Sequence, residues 1–488
     1  MSTTPATWLR FVKSSVLLLA LTSIACKDFY QDAHCDAVPE ANASCGTLTA
    51  AGTLPPRLVG NAVGPQSVWL DFLNLADNAR PPTVTLTSSS GLATKTADVV
   101  SRSLDERWAA TFNPPSPGSV LLPLGPATLT LTVGIRSAAP PGSTMVYSMP
   151  QLRLLATKSY SMPAERALAV SLQTMPGESR SSIFVTEETV GAPTRQALER
   201  YYWQGGALVS DPTFVGKTQV GVAPANSPSL FTTNRDSAFM YTYFGTSWVL
   251  GAVDLDTPMS TTDNMVRLQR ATCFASDPSS RFHVLWGGDS TSSNLEVFQF
   301  GTGTGMKAQH VPISSTPLVN RKDEEPYLLA ARTFVLDSGQ IDFVTINAKY
   351  TVGIYSISGP NITRSDSLST TATALVKAAR SDAVSNGMAA KLDALAIGDL
   401  DRDGYPDLVL AIEDLGCSIG TARGSVCQLT VLPYLRGGTF GESFAVQLAD
   451  PIRDPVLGIA VGDLDGDSIP DVAMVTATAL TVYRNTAP

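Results

Sequence analysis

Short apolar runs alternating with polar residues dominate this chain from about residue 51 onward, and long amphipathic helical patterns are scarce. Between 51 and 155 the runs "SVWLDFLNL" (Ser67 to Leu75), "TVTLTS" (Thr83 to Ser88), "RWAATF" (Arg107 to Phe112) and "ATLTLTV" (Ala127 to Val133) have period two and β-branched enrichment, the marks of strands. Turn clusters such as "NARPP", "NPPSPGS" and "PLGP" separate them. Strands at this spacing over roughly 100 residues predict a β-sandwich of immunoglobulin-like type. The segment "RSAAPPGSTM" (Arg136 to Met145) reads either as a linker or as a long hairpin loop.

From about 160 to the end the strand runs continue and begin to repeat. "AIGDLDRDGYPDLVLAI" (Ala396 to Ile412) returns 64 residues later as "AVGDLDGDSIPDVAMVT" (Ala460 to Thr476). "FVLDSGQIDFVTINAKYTVGIYSI" (Phe334 to Ile357) has the same shape with a degraded loop, and aligning Asp342 with Asp407 and Asp471 gives steps of 65 and 64. Turn-then-strand pieces at Gly177 to Glu188, Asn234 to Gly245 and Asp277 to Gly288 fit the same register. A period of this size built from strands predicts propeller blades of four strands each. The expected fold is therefore all-β: a sandwich over 51–155, then a β-propeller over 160–488 of five to seven blades, with six favoured. The Ala-rich stretch Thr371 to Ala396 reads as a helix or polar loop inserted between blades.

Each full repeat places carboxylates at positions 1, 3, 5 and 9 of a short loop. The first set is Asp399, Asp401, Asp403 and Asp407; the second is Asp463, Asp465, Asp467 and Asp471. A tight loop aims alternate side chains at one point, and the carbonyls of Tyr405 and Ile469 at position 7 can join them. Six to eight hard oxygen ligands in a flexible shell suit Ca²⁺, whereas Mg²⁺ demands a stricter octahedron. Four carboxylates packed without a cation raise one another's pKa. The competing reading is a solvated acidic turn. An EF-hand is excluded, because position 12 is Leu410 or Met474 instead of Glu and the flanking runs "ALAIGD", "DLVLAI", "GIAVGD" and "DVAMVT" are strands. Gly404 occupies position 6 of the first loop, where a left-handed backbone is expected; Ser468 occupies it in the second, with Gly466 at position 4, so the second site is expected to be more strained or weaker. No metal is expected at Asp337 and Asp342, which lack companions.

Strand, loop and strand with these four acids, a "GDLD" opening and a "PD" exit resemble the FG-GAP or VCBS repeat of calcium-binding propellers such as those of integrin α-subunits. The resemblance implies Ca²⁺ that braces each blade, with partners bound elsewhere on the propeller. Likewise, "LGPATLTLTVG" resembles the last strands of bacterial Ig-like modules.

The first 25 residues read as an export signal, with Arg10 and Lys13 before the apolar run Ser14 to Ala25, which is short for a bilayer span. "LTSIAC" resembles a bacterial lipobox, which implies acylation of Cys26; Ser23 stands where that family usually carries Leu, and ordinary cleavage after Ala25 is the alternative. Residues 26–50 then form a polar tether. Outside the cytoplasm, Cys35 with Cys45 and Cys417 with Cys427 can close short disulfide loops. The net charge of −9, without a basic stripe, excludes nucleic acid as a natural partner.

Catalytic motifs are missing: there is no nucleophile elbow, zinc-protease helix or phosphate loop, and the three histidines are scattered. The aromatic cluster Tyr201, Tyr202 and Trp203 reads either as blade core or as a stacking platform. The expectation is a non-enzymatic calcium-binding module at the cell surface or outer membrane, otherwise periplasmic or secreted. It would bind an extracellular protein or polysaccharide and reach the membrane through its lipid. A polysaccharide lyase or hydrolase with acids in the propeller channel, and a purely structural envelope protein, are the alternatives.

Overall fold

A computed structural model describes residues 49–51, 57–73, 81–88, 91–102, 107–116, 119–133, 136–140, 144–174, 178–189, 195–211, the strands between 229 and 311, 326–336, 339–358, 361–382, 391–413, 425–435 and 438–487. Along the strands between 229 and 311 it describes the backbone path alone, except at Val284. The signal segment, Cys26, Cys35, Cys45, Asp337 and Cys417 lie outside the described residues. Two units divide between Met149 and Pro150.

In the first unit, one sheet has the spatial order Thr49–Ala51, Gln66–Leu73, Trp108–Phe112, Val99–Arg102. The other runs Arg57–Val59, Thr144–Tyr147, Gly125–Val133, Thr83–Ser88, Thr94–Thr96, with Arg136–Ala138 also paired to Gly125–Val133. Period-two patterning turns Val68, Leu70 and Phe112 of one sheet toward Val84, Leu86, Leu129 and Leu131 of the other, and these side chains make one shared core. The segment after Val133 is not a linker: it starts with a strand of the sheet, Val133 pairing with Arg136.

Among the described residues, the second unit holds six sheets of antiparallel strands. Their innermost strands are Glu165–Thr174, Ser229–Thr233, Arg270–Ser276, Pro326–Leu336, Leu392–Gly398 and Val456–Gly462, and we number blades 1 to 6 in that order. Each innermost strand contacts the next, and the sixth contacts the first, so the sheets close into a six-bladed propeller. Blade 6 takes three strands from the end of the chain and its outer strand, Leu152–Ser159, from the beginning of the unit, with Leu152 paired to Asn485. The propeller therefore begins near 150, not 160. The closing strand escaped local patterning because its partner lies at the opposite end of the chain.

Both faces of the strands that flank the acidic loops in blades 5 and 6 are buried, which explains why these runs are continuously apolar. Leu408, Leu410 and Ile412 pack toward blade 4, whereas Val409 and Ala411 between them pack toward blade 6. Blade 6 repeats the arrangement, with Val472 and Met474 facing blade 5 and Ala473 and Val475 facing blade 1. The glycine before each loop follows from this close stacking: a Cβ on Gly398 would lie 2.6 Å from Val461 Cγ1.

A helix, Asp366–Asp382, follows blade 4. It buries Ala372, Val376 and Ala379, spaced along one helical face, between blades 4 and 5. Thr373 Oγ1 and Ser369 Oγ accept the backbone N–H groups of Val352 and Ile354, at 2.9 and 3.0 Å, so the helix covers a strand edge that would otherwise lack partners. It starts and ends earlier than the Thr371 to Ala396 stretch expected from composition. Residues from Leu392 on are a doubly buried strand, and an Ala- and Leu-rich run suits either element.

Candidate metal centre

Both acidic loops join the first and second strands of a blade, in blades 5 and 6. In each, pairing ends where glycine meets the ninth-position acid, Gly398 with Asp407 and Gly462 with Asp471. Leu400 and Leu464, at position 2, are buried and pin the loops to the interblade cores. Two residues per loop take left-handed backbone: Arg402 (φ 63°) and Gly404 (φ 87°) in the first, Gly466 (φ 87°) and Ser468 (φ 66°) in the second. Each loop thus spends one glycine and one ordinary residue on the same two positions, merely exchanged. The expectation of a more strained second loop is corrected: each loop carries one glycine and one other residue in left-handed backbone.

The carboxylates fold back on the loop amides. In the first loop Asp399 Oδ2 accepts Gly404 N–H (3.0 Å), Asp403 Oδ1 accepts Tyr405 N–H (2.9 Å), and Asp407 Oδ2 accepts Leu400 N–H (2.8 Å). The second loop copies this through Ser468 to Asp463 (3.0 Å), Ile469 to Asp467 (2.8 Å) and Leu464 to Asp471 (3.0 Å). These bonds hold the acids in a ring, leaving oxygens turned inward. Asp399, Asp401 and Asp403 each bring an oxygen within 4.8 Å of the others, as do Asp463, Asp465 and Asp471. The converging sets are therefore subsets of the acids that spacing selected. Asp407 lies outside the first set and Asp467 outside the second.

What holds Asp467 is Arg484, whose Nη2 lies 2.9 Å from Asp467 Oδ2 and whose Nε lies 2.6 Å from Asp465 Oδ2. This arginine follows Tyr483, the register partner of Val472, whereas Pro433 faces Asp407 in blade 5. The loops accordingly differ in charge compensation. Asp401 and Asp403 are buried, and Asp399 Oδ1 is buried and meets no donor in bonding geometry. Burial raises the Asp399 carboxyl above its ordinary value, and burial together with the neighbouring Asp465 and Asp467 pushes Asp471 up to about 7. Both shifts mark sites where anionic charge lacks a full counterpart. Oxygen-only donors converging around a buried, donorless oxygen fit a hard divalent cation.

Asp342, in the degraded repeat, shows a bracing use of the ninth-position acid. Pairing in blade 4 runs on to Leu336 with Gly339. Asp342 is buried and accepts Thr333 Oγ1 (2.8 Å), Gln340 Nε2 (2.6 and 2.7 Å) and Ile357 N–H (2.6 Å). Asp471 likewise accepts an amide of its blade's third strand, that of Asn485, at 2.9 Å. Here the acid is first a brace between second and third strands. The fully buried Asn485 also donates to the Leu400 carbonyl (3.1 Å) and accepts Gln151 N–H (3.0 Å), so it links the first loop to the closing strand. No local motif marked either Asn485 or Arg484.

Cys427 is disulfide-bonded, while Cys417 is outside the described residues. Of the aromatic trio, Tyr201 is buried in the core between blades 1 and 6, and Trp203 lines a cavity at the same seam.

Residues 399–474 match the FG-GAP-like repeat family. No curated protein matches the chain. Similar solved structures include a protein of unknown function from Bacteroides thetaiotaomicron (8% identity, 91% of this chain and 100% of that one, TM-score 0.35). Others are a Lactobacillus plantarum protein (9%, 83% and 98%, 0.33) and the Cps50 (Swd1) β-propeller domain of Myceliophteria thermophila (8%, 68% and 99%, 0.31). With scores this low, the propeller rests on strand order and ring closure. This chain carries an FG-GAP-like repeat, with two acidic loops able to hold metal, on a six-bladed β-propeller.

Proposed function

We propose that the chain is an exported, lipid-anchored surface module that binds an extracellular protein or polysaccharide and is braced by Ca²⁺ in blades 5 and 6. The observation that carries the calcium reading is the convergence of Asp399 with the buried Asp401 and Asp403, where Asp399 Oδ1 is buried and donorless. The carbonyls of Tyr405 and Ile469 complete the shells, and the first site is the tighter because Arg484 already compensates part of the second. These ions stabilise loops and do no chemistry, so the module is non-catalytic. An acylated Cys26 ties it to the membrane, and the polar tether that ends at residue 50 holds the folded part off the surface. A rigid ring with many adjacent loops suits recognition.

Expression of the full chain in a Gram-negative host tests the reading. The protein should partition with membranes, move to the soluble exported fraction as Cys26→Ala, and bind whole cells or extracted envelope polysaccharide in Ca²⁺ but not in EDTA. A cytoplasmic product, or binding indifferent to EDTA, would defeat it.

A further inference from the structure

The ring closes where the strand Leu152–Ser159 of blade 6 meets the outer hairpin of blade 1, Arg195–Gln204 with Ala207–Ser210. A cavity of about 580 Å³ opens at that seam, lined by Lys158 and Leu155 from one side and Glu199, Tyr201, Trp203 and Leu208 from the other. Its polar wall is a compact ionic cluster. Lys158 Nζ lies 2.8 Å from Glu187 Oε1 and 3.0 Å from Glu199 Oε2, and the Tyr201 hydroxyl bonds to both glutamates, at 2.8 Å to Glu187. The ammonium sits 4.6 Å from the Tyr201 ring centroid and 4.8 Å from that of Tyr160. Burial raises the Glu187 carboxyl, in keeping with two acids sharing one lysine.

We propose that this seam cavity is a binding site for a neutral saccharide unit. A carboxylate only accepts and an ammonium only donates, so Glu199 beside Lys158 matches a vicinal diol, one hydroxyl donating to the acid while its neighbour accepts from the lysine. Trp203, Leu155 and Leu208 supply the apolar surface that the C–H faces of a pyranose ring need. The volume lies within the range of about 300–1,000 Å³ usual for small-molecule sites. Two acids against one lysine, in a chain of net charge −9, disfavour anionic ligands such as phosphates or sulfated sugars. The site gives the binding-module reading a ligand class and rests on that reading, but it is independent of the calcium loops.

The test is saturation-transfer difference NMR and titration of the full chain with cellobiose, maltose, lactose and chitobiose up to about 10 mM, the weak end of useful affinities. Cadaverine and sulfate serve as charged controls. At least one disaccharide should bind, with affinity reduced about tenfold or more in Trp203→Ala and in Glu199→Gln, while the melting temperature of Glu199→Gln shows that the propeller remains folded. No disaccharide signal, or saccharide binding unchanged in both variants, overturns the proposal; binding of cadaverine alone overturns it in favour of a cation site. If envelope binding in Ca²⁺ persists while the disaccharides fail, the module reading stands and the seam site alone falls.

Discussion

Asp342 offers the sharpest test of the idea that the ninth-position acid is a brace before it is a ligand. Asp342→Ala removes a buried acceptor that serves three donors: Thr333 on the first strand, Gln340 two residues earlier on its own strand, and the Ile357 backbone on the third strand. Thr333 and Gln340 can rotate toward other acceptors. The Ile357 amide cannot, since its strand is fixed by pairing with Asn361–Arg364. Stranding one buried N–H costs about 1–3 kcal/mol, and losing bonds to a carboxyl adds about 1.5–3 kcal/mol each with strong non-additivity, which suggests a total of about 3–5 kcal/mol. That is a large share of a stability of about 5–15 kcal/mol. Asp342→Asn, which keeps one acceptor but turns an NH2 group toward Gln340, should cost about 1–2 kcal/mol. Urea unfolding followed by tryptophan fluorescence reads both as a lowered midpoint at unchanged slope. Calcium stoichiometry, by titration calorimetry, should stay as in the parent. A loss below about 1 kcal/mol for Asp342→Ala, or a lost calcium ion, would refute the brace.

Three further outcomes follow from the site geometry. Gly398→Ala places a methyl group against Val461 of the next blade and should destabilise by about 1–3 kcal/mol through overpacking, read as a lowered melting temperature. Arg484→Ala frees Asp465 and Asp467, so it should tighten Ca²⁺ at the second loop while lowering stability in EDTA; calorimetry and melts check the two halves. With its carboxyl raised from 3.8 to about 7, folded Asp471 binds its proton more tightly than the unfolded chain does. Ion-free stability should therefore fall as pH rises through that window, and apparent Ca²⁺ affinity should weaken as pH drops below about 7, measurable by calorimetry at a series of pH values.

The legibility of this chain was uneven for physical reasons. Alternation marked Thr83–Ser88 as a strand to the residue, and the two "GDLD" loops announced strand–loop–strand because the acids and their buried flanks recur at a fixed step. The blade count followed from that step. What stayed hidden depends on contacts distant in sequence. Leu152–Ser159 is a strand because Ala479–Asn485 offers it an edge, Arg484 matters because strand register delivers it to Asp465, and Lys158 meets Glu199 only once the ring has closed. Composition misjudged the helix boundary, since Leu392–Gly398 is as rich in Ala and Leu as a helix but buried on both faces. Within the loops, regular spacing selects four acids, and the fold brings three of each four within 4.8 Å of one another.

Calcium titration of the EDTA-stripped full chain tests the central claim most directly. Two ions should bind, the tighter event lost in Asp401→Asn and the weaker in Asp463→Asn, with the melting temperature of the parent rising as Ca²⁺ is added, by an amount equivalent to about 2.7 kcal/mol at a hundredfold excess over Kd. Absence of binding heat together with an unchanged melting temperature, or two ions that still bind when both aspartates are replaced, would contradict the account.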